Sequence, residues 1–333
     1  MSGQNTKLKA TVKKLSSGLG PFLVVMLIAL FFVITTPTFR TIRNILTLGH
    51  SASLYVMMAM GLSFVLISGA TDLSAGSVVG LCGVVCAMMM RDFNVPVWIS
   101  VIIGLASGVL CGVINGLLAT KLGLVPFIAT LGTQWVYRGM CNILGRGAAV
   151  SVRDAQNPAY ADQFYAIGGG RLLGIPVPIY IFVICGIILA FLLRKTVFGR
   201  DLYAVGSNAE AARLSGINVF KTQMIAYIIC DTMAALAGIV LAARMVGGNT
   251  ASGDGYEFEG IFAAVIGGVS LAGGEGTILG AIIGAFVVAV LRNGLNLNGI
   301  GSFVQQVILG ILIIIAVYLD VRRVKRMRNK TVA

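Results

Sequence analysis

Apolar runs of about 20 residues recur from Pro21 to Leu319, each nearly free of charge. A helix of roughly that length crosses the hydrocarbon core of a bilayer. A lipid-spanning backbone must satisfy its own hydrogen bonds, which leaves helices or closed barrels. Barrel strands alternate apolar and polar residues in segments of about ten. Here the runs are continuous, so the expected fold is all-α and polytopic. The composition agrees. Hydrophobic residues make up 57% of the 333-residue chain, Gly contributes 43 more positions, and only 11% is charged. Soluble domains carry about 25% charged residues, so a water-exposed surface cannot be covered. Disordered chains are poor in apolar residues, which excludes that class. The recurrence of the runs excludes a single anchor.

Ten crossings are expected, at 20–36, 45–68, 75–91, 97–119, 124–144, 177–193, 222–244, 257–272, 277–295 and 303–319. The spans 75–91 and 257–272 are short and Gly-rich, which admits a partly re-entrant path. Basic residues favour the cytoplasmic side of short loops. With the N-terminus in the cytoplasm, sixteen Lys and Arg fall in inside segments and seven outside, while Arg138 and Arg292 fall within spans. Both termini are then cytoplasmic. The chain divides into a basic tail 1–19, a transmembrane region 20–320 and a basic tail 321–333. The tails can meet acidic membrane lipid, and the positive-inside bias accounts for them already. The region near 35–40 lacks the small-residue pattern of a signal-peptidase site, so the first span is expected to stay as an anchor. The net charge of +13 orients the chain rather than pointing to nucleic acid.

Two hydrophilic loops stand out. The external loop, 145–176, is longer than a connection needs and is expected to form a surface. The cytoplasmic loop, 194–221, contains Ser207 followed by Glu210, the spacing of a capping box. Ala209, Ala211 and Ala212 favour helix, and Gly216 suits the left-handed position past a helix end. The pattern predicts a short helix at about 208–215. A helix of about eight residues cannot hold alone, so a partner groove is the expected support. A weak internal echo links Gly76-Ser77-Val78-Val79-Gly80 to Gly276-Thr277-Ile278-Leu279-Gly280. Each follows an Ile-x-Gly, at Ile67 and at Ile266. Such echoes accompany related halves in transporters.

Several chemistries are missing from the pattern. No Gly-Lys pair occurs, so no GxxxxGK[ST] loop can cradle a nucleotide. There is no HExxH and no GxSxG, and an enzyme is not expected. The six cysteines lie in apolar runs without CxxC spacing, and His50 is the single histidine. No metal or cofactor is expected. Asp231, Arg138 and Arg292 are embedded in spans, where a charge costs about 2.5–3.5 kcal/mol on insertion scales. Each needs a partner or water. No series of acids and histidines continues from Asp231, so it reads as a structural polar contact rather than a proton relay.

The string GRDLYAVGSNAEAARLSGI at 199–217 closely resembles the coupling-loop signature of bacterial ABC-type sugar permeases, the ribose/xylose/galactose permease family. ISGATDLSAGS at 67–77 is similar to the family's ISGGIDLSVGS. NGLLATKLGLVPFIATLGT at 115–133 and AAVIGGVSLAGGEGT at 263–277 match two further family patterns. Together they cover most of the chain from about 45 to 320. Ala70-Thr71 stands where the family has Gly-Ile, and Gly260-Ile261-Phe262 is bulkier than the family pattern. Both departures bear on substrate rather than on family. The resemblance implies a homodimer of permeases, two separate ATPase subunits below, and an extracytoplasmic sugar-binding protein above. It also implies that 207–217 is the coupling helix. The residues carried over are Gly199, Arg200 and Gly206, then Ser207, Asn208 and Glu210, then Ala211, Ala212, Arg213, Leu214, Gly216 and Ile217.

A sugar requires groups that match its hydroxyls and an apolar or aromatic face. Candidates for the pathway are Asp72, Asn115, Thr130, Thr133, Gln134, Asn142 and Gln305. By sign and side, Arg146, Arg153, Arg171 and Arg244 are candidates for meeting the binding protein. The competing readings are an ABC permease of related fold for branched-chain amino acids or nucleosides, and an ion-coupled carrier acting alone.

Overall fold

The computed structural model describes residues 22–332; the tail 1–19 lies outside the described residues. Helix α1 covers Phe22–Thr35. A 3-10 turn, Pro37–Arg40, leads to α2 (Ile42–Ile67), α3 (Ala75–Phe93) and α4 (Val97–Gly116), which runs on as a π turn through Leu117–Lys121. Then come α5 (Pro126–Gly145), α6 (Ala159–Gly168), α7 (Val177–Lys195), α8 (Val197–Ser207) and α9 (Ala209–Leu214). The chain closes with α10 (Val219–Met245), α11 (Tyr256–Ile266), α12 (Ile278–Leu297) and α13 (Ser302–Val332). Four two-residue strands complete the element list: β1 (Val150–Ser151), β2 (Arg171–Leu172), β3 (Ile175–Pro176) and β4 (Gly247–Gly248).

The molecule is a polytopic helical membrane protein. Among the described residues, six helices are long and apolar enough to cross a bilayer: α2, α3, α4 with its π turn, α7, α10 and α12. Helix α5 has the length, but Thr130, Thr133, Gln134, Arg138 and Asn142 dilute its hydropathy. The stretch 75–91 is a full helix of 19 residues. The stretch 257–272 is not one continuous span-length helix. Its helix, α11, has 11 residues, about half a bilayer at 1.5 Å per residue. It stops because Gly268 turns left-handed, at φ +90°, and the glycine-rich segment beyond it forms a loop. Helix α13 carries the expected 303–319 span and continues as backbone through Val332, into the tail region.

Helix α2 is the axis of the bundle, with every residue from Val56 to Ile67 buried. Helices α3 and α10 pack around it. Helix α4 approaches α10 along a ridge of four glycines, Gly104, Gly108, Gly112 and Gly116, at every fourth position. A Cβ on Gly112 would lie 2.7 Å from the Cα of Ile228, and one on Gly108 would lie 2.7 Å from the carbonyl of Asp231. Small residues at i, i+4 spacing let helix backbones approach closely in a bilayer.

The loop 145–176 is built onto one end of the bundle. Strand β1 pairs antiparallel with β4, joining the ends of α5 and α10. In α6, Phe164 is fully buried and the Tyr160 hydroxyl donates to the Asn94 carbonyl at 3.2 Å. At the other end lie α8 and α9. There the breaks after α2 and α11 close with the same turn. Gly69 N–H donates to Leu66 and Ala70 N–H to Val65; Gly268 N–H donates to Val265 and Val269 N–H to Ala264. The internal echo in sequence therefore marks two equivalent local turns. They meet, because Gly274 N–H donates to the Ile67 carbonyl at 2.9 Å.

Candidate functional site

Three features mark the candidate site. The first is the loop 194–221. Thr196 caps α8 by accepting from Gly199 N–H at 3.3 Å, and Gly199, Leu202 and Val205 are buried. The Tyr203 hydroxyl donates to the Gly276 carbonyl at 2.7 Å. Gly206 touches the Ile67 carbonyl so closely that a Cβ there would overlap it. Helix α8 therefore rests directly on both turns.

The expected helix exists, shorter and differently capped. Ser207 does not cap it, because Ser207 is the last residue of α8. The extended residue is Asn208, at φ −162°, and its side chain accepts from Ala211 N–H at 3.0 Å. Glu210 does not reach back to close a capping box; it pairs with Arg213 at 2.8 Å. Both members are exposed, so the pair adds little. Ala212 is buried and seats the helix. Gly216 takes the left-handed position, at φ +86°, and Ile217 N–H returns to the Ala212 carbonyl at 3.0 Å. Arg200, Ala211 and Leu214 face outward, and Leu214 is 81% exposed. Leu214 has no pocket of its own among the described residues.

The second feature is a polar core where the α2–α3 break meets α4, α5 and α10. Asp72 accepts from Ser74 N–H at 2.8 Å and from the Ser74 hydroxyl at 2.7 Å. The Asn115 amide donates to Asp231 at 2.7 Å and reaches Ser74 Oγ at 2.7 Å. Thr133 donates to Asn115 at 2.7 Å. Thr130 receives the Leu73 N–H at 3.1 Å. All seven residues are buried. Asp72, Asn115, Thr130 and Thr133 thus come together as the structural seam of the break. Sequence reading left Asp231 without a partner, since nothing in the spacing announces that Asp72 folds against it. Arg138 has carbonyl partners, donating to Thr250 at 2.7 Å and Ser252 at 2.8 Å. Arg292 pairs with Glu259.

The third feature is a cavity of about 490 Å³ between α3, α5, α11 and the segment 249–255, at the end of the bundle opposite α9. Gln134 and Asn142 line it, with Ser77, Arg138, Asp254 and the rings of Trp135 and Phe258. Gln134 also donates to the buried Glu257 at 3.0 Å. Its size falls in the range of small-molecule sites, about 300–1,000 Å³. Polar groups beside exposed rings suit a polyhydroxylated solute. Gln134, Arg138 and Asn142 recur every fourth residue of α5, a polar stripe that could have marked this wall from sequence. Gln305 stands elsewhere, donating to Asn296 at 2.7 Å. Arg146, Arg153, Arg171 and Arg244 are all exposed, at the end carrying the 145–176 loop.

The bundle carries a short surface helix on two broken-helix turns and a polar cavity, and its class is that of membrane permease components. A family model described as branched-chain amino acid transport system / permease component matches residues 41–317, and the chain belongs to this family. It is 40% identical to the ribose import permease protein RbsC of Bacillus subtilis (strain 168), over 91% of this chain and 92% of that one. It is 38% identical to RbsC of Escherichia coli (strain K12), over 89% and 92%. It is likewise 38% identical to the L-arabinose transport system permease protein AraH of the same strain, over 94% and 92%. No solved structure matches the chain.

Proposed function

We propose that this chain is the membrane-spanning subunit of an ATP-driven importer for a monosaccharide such as ribose. The observation that carries the reading is the mechanical path from Leu214 through α8 to the two turns at Ile67 and Gly274. ATP is bound and hydrolysed on separate subunits, which grip α9. Two copies of the chain form the pathway, embedded in membrane lipid, with α1, α5, α13 and the segment that contains α11 also crossing and both termini in the cytoplasm. A sugar-binding protein docks on the opposite face, near Arg146, Arg153, Arg171 and Arg244. The sugar enters against Gln134, Asn142 and Trp135. The relatives named for ribose and arabinose support a sugar, and the absence of a Gly-Lys pair supports an external engine.

The family's own description names branched-chain amino acids, which makes leucine the informative competitor. The test is uptake into proteoliposomes holding the chain with its ATPase and binding protein, offered labelled ribose, arabinose and leucine. ATP-dependent entry of a pentose alone is expected. Entry of leucine alone rejects the sugar. Entry by the isolated chain under an ion gradient rejects the whole assignment.

A further inference from the structure

Asp72 and Asp231 lie in the polar core, and neither side chain has any exposed surface. A carboxyl oxygen of one lies within 4.8 Å of a carboxyl oxygen of the other. One oxygen of each is satisfied. Asp72 Oδ1 accepts from Ser74 twice, and Asp231 Oδ2 accepts from Asn115. The other oxygens, Asp72 Oδ2 and Asp231 Oδ1, are buried and have no hydrogen-bond donor. Two buried carboxyl oxygens are therefore left unpaired, with the Cys230 thiol as the nearest side-chain donor. The titratable and polar groups that face them are Cys82 from α3, Cys111 and Asn115 from α4, Thr133 and Tyr137 from α5, and Tyr227 and Cys230 from α10, of which Asn115 and Cys230 are nearest. None is a cation, and among the described residues no Lys, Arg or His forms an ion pair with either carboxyl.

Two like charges so close, in a medium of low dielectric, cannot both persist without a compensating positive charge. We infer that Asp72 and Asp231 share one resident proton, which turns an acceptor–acceptor contact into a carboxyl–carboxylate hydrogen bond and latches α10 to the α2–α3 break. A metal ion would need water or a further group as a fourth ligand. The cluster offers three side-chain donors within 4.8 Å of one another, those of Asp72, Cys230 and Asp231. A proton needs only the two free oxygens. The site goes beyond the transport reading and is tested without transport.

The experiment is infrared difference spectroscopy of the full chain in lipid nanodiscs near neutral pH, wild type against D72N, D231N and the double variant. The wild type minus the double variant should contain one protonated carboxyl C=O stretch, sensitive to deuterium oxide, and one ionised carboxylate. Each single variant should lose the acid band, because the new amide takes over as donor to the remaining carboxylate. If the double variant does not fold, either single variant carries the comparison. Two ionised carboxylates, two acid bands, or stoichiometric metal bound to the wild type and absent from D231N would each overturn the inference.

Discussion

Gly112 is held against the backbone of Ile228 and the carbonyl of Tyr227, with Gly104, Gly108 and Gly116 in equivalent places along the same face of α4. Gly112→Ala should destabilise the bundle by about 1–3 kcal/mol, the usual effect of forcing a methyl into a packed interface. Gly132→Ala, where a Cβ would meet nothing within 4 Å, should be neutral or stabilising by about 0.5–1 kcal/mol through helix propensity. Thermal unfolding in detergent compares them, and equal melting points would remove the ridge from the account. The four-residue spacing of these glycines is plain in the sequence, but its partner is not. The same stripe could face lipid or any helix, and only the fold selects α10. Asp231 makes the same point. A carboxylate in an apolar run announces that it needs a partner, while the partner sits in a different break and cannot be found from spacing.

At the scale of elements, the loop 194–221 was legible in kind and shifted in detail. The helix-forming alanines and the closing Gly216 were readable from local chemistry. The cap moved from Ser207 to Asn208 because α8, an unforeseen helix, extends through Ser207. Whether a residue ends one helix or opens the next depends on the packing of Leu202 and Val205, which local spacing does not encode. Asn208→Ala should therefore weaken α9 by about 0.5–2 kcal/mol, whereas Ser207→Ala should leave its cap intact. Copurification with the ATPase subunit reads the difference, and a larger loss from Ser207→Ala would reinstate the capping box. Leu214→Glu should lower ATPase affinity at least tenfold, about 1.4 kcal/mol, with no change in melting temperature because Leu214 touches little of its own chain. Helix α11 shows the opposite limit. Its apolar run read as a short span, but hydropathy does not register where Gly268 turns the backbone and ends the helix.

Across the whole molecule, the proposed orientation sets α9 and the 145–176 loop on opposite sides of the membrane. In a Cys185→Ser background, Glu210→Cys should react with an impermeant maleimide only from the cytoplasm, and Arg171→Cys only from outside. The other native cysteines are buried and should stay silent. Labelling of both sites from one side would overturn the topology. Gly206→Ala should separate the engine from the pathway, with ATP hydrolysis retained and sugar uptake reduced at least tenfold, as measured in the same proteoliposomes. Normal uptake would show that α8 does not transmit. At Gly206 the two turns and the helix between them touch through main chain, with no flexible side chain as padding. A displacement of α8 by a fraction of an ångström has nothing soft to absorb it, so both hairpin bends must shift in the same stroke, and the two ends of the sequence echo keep time with each other.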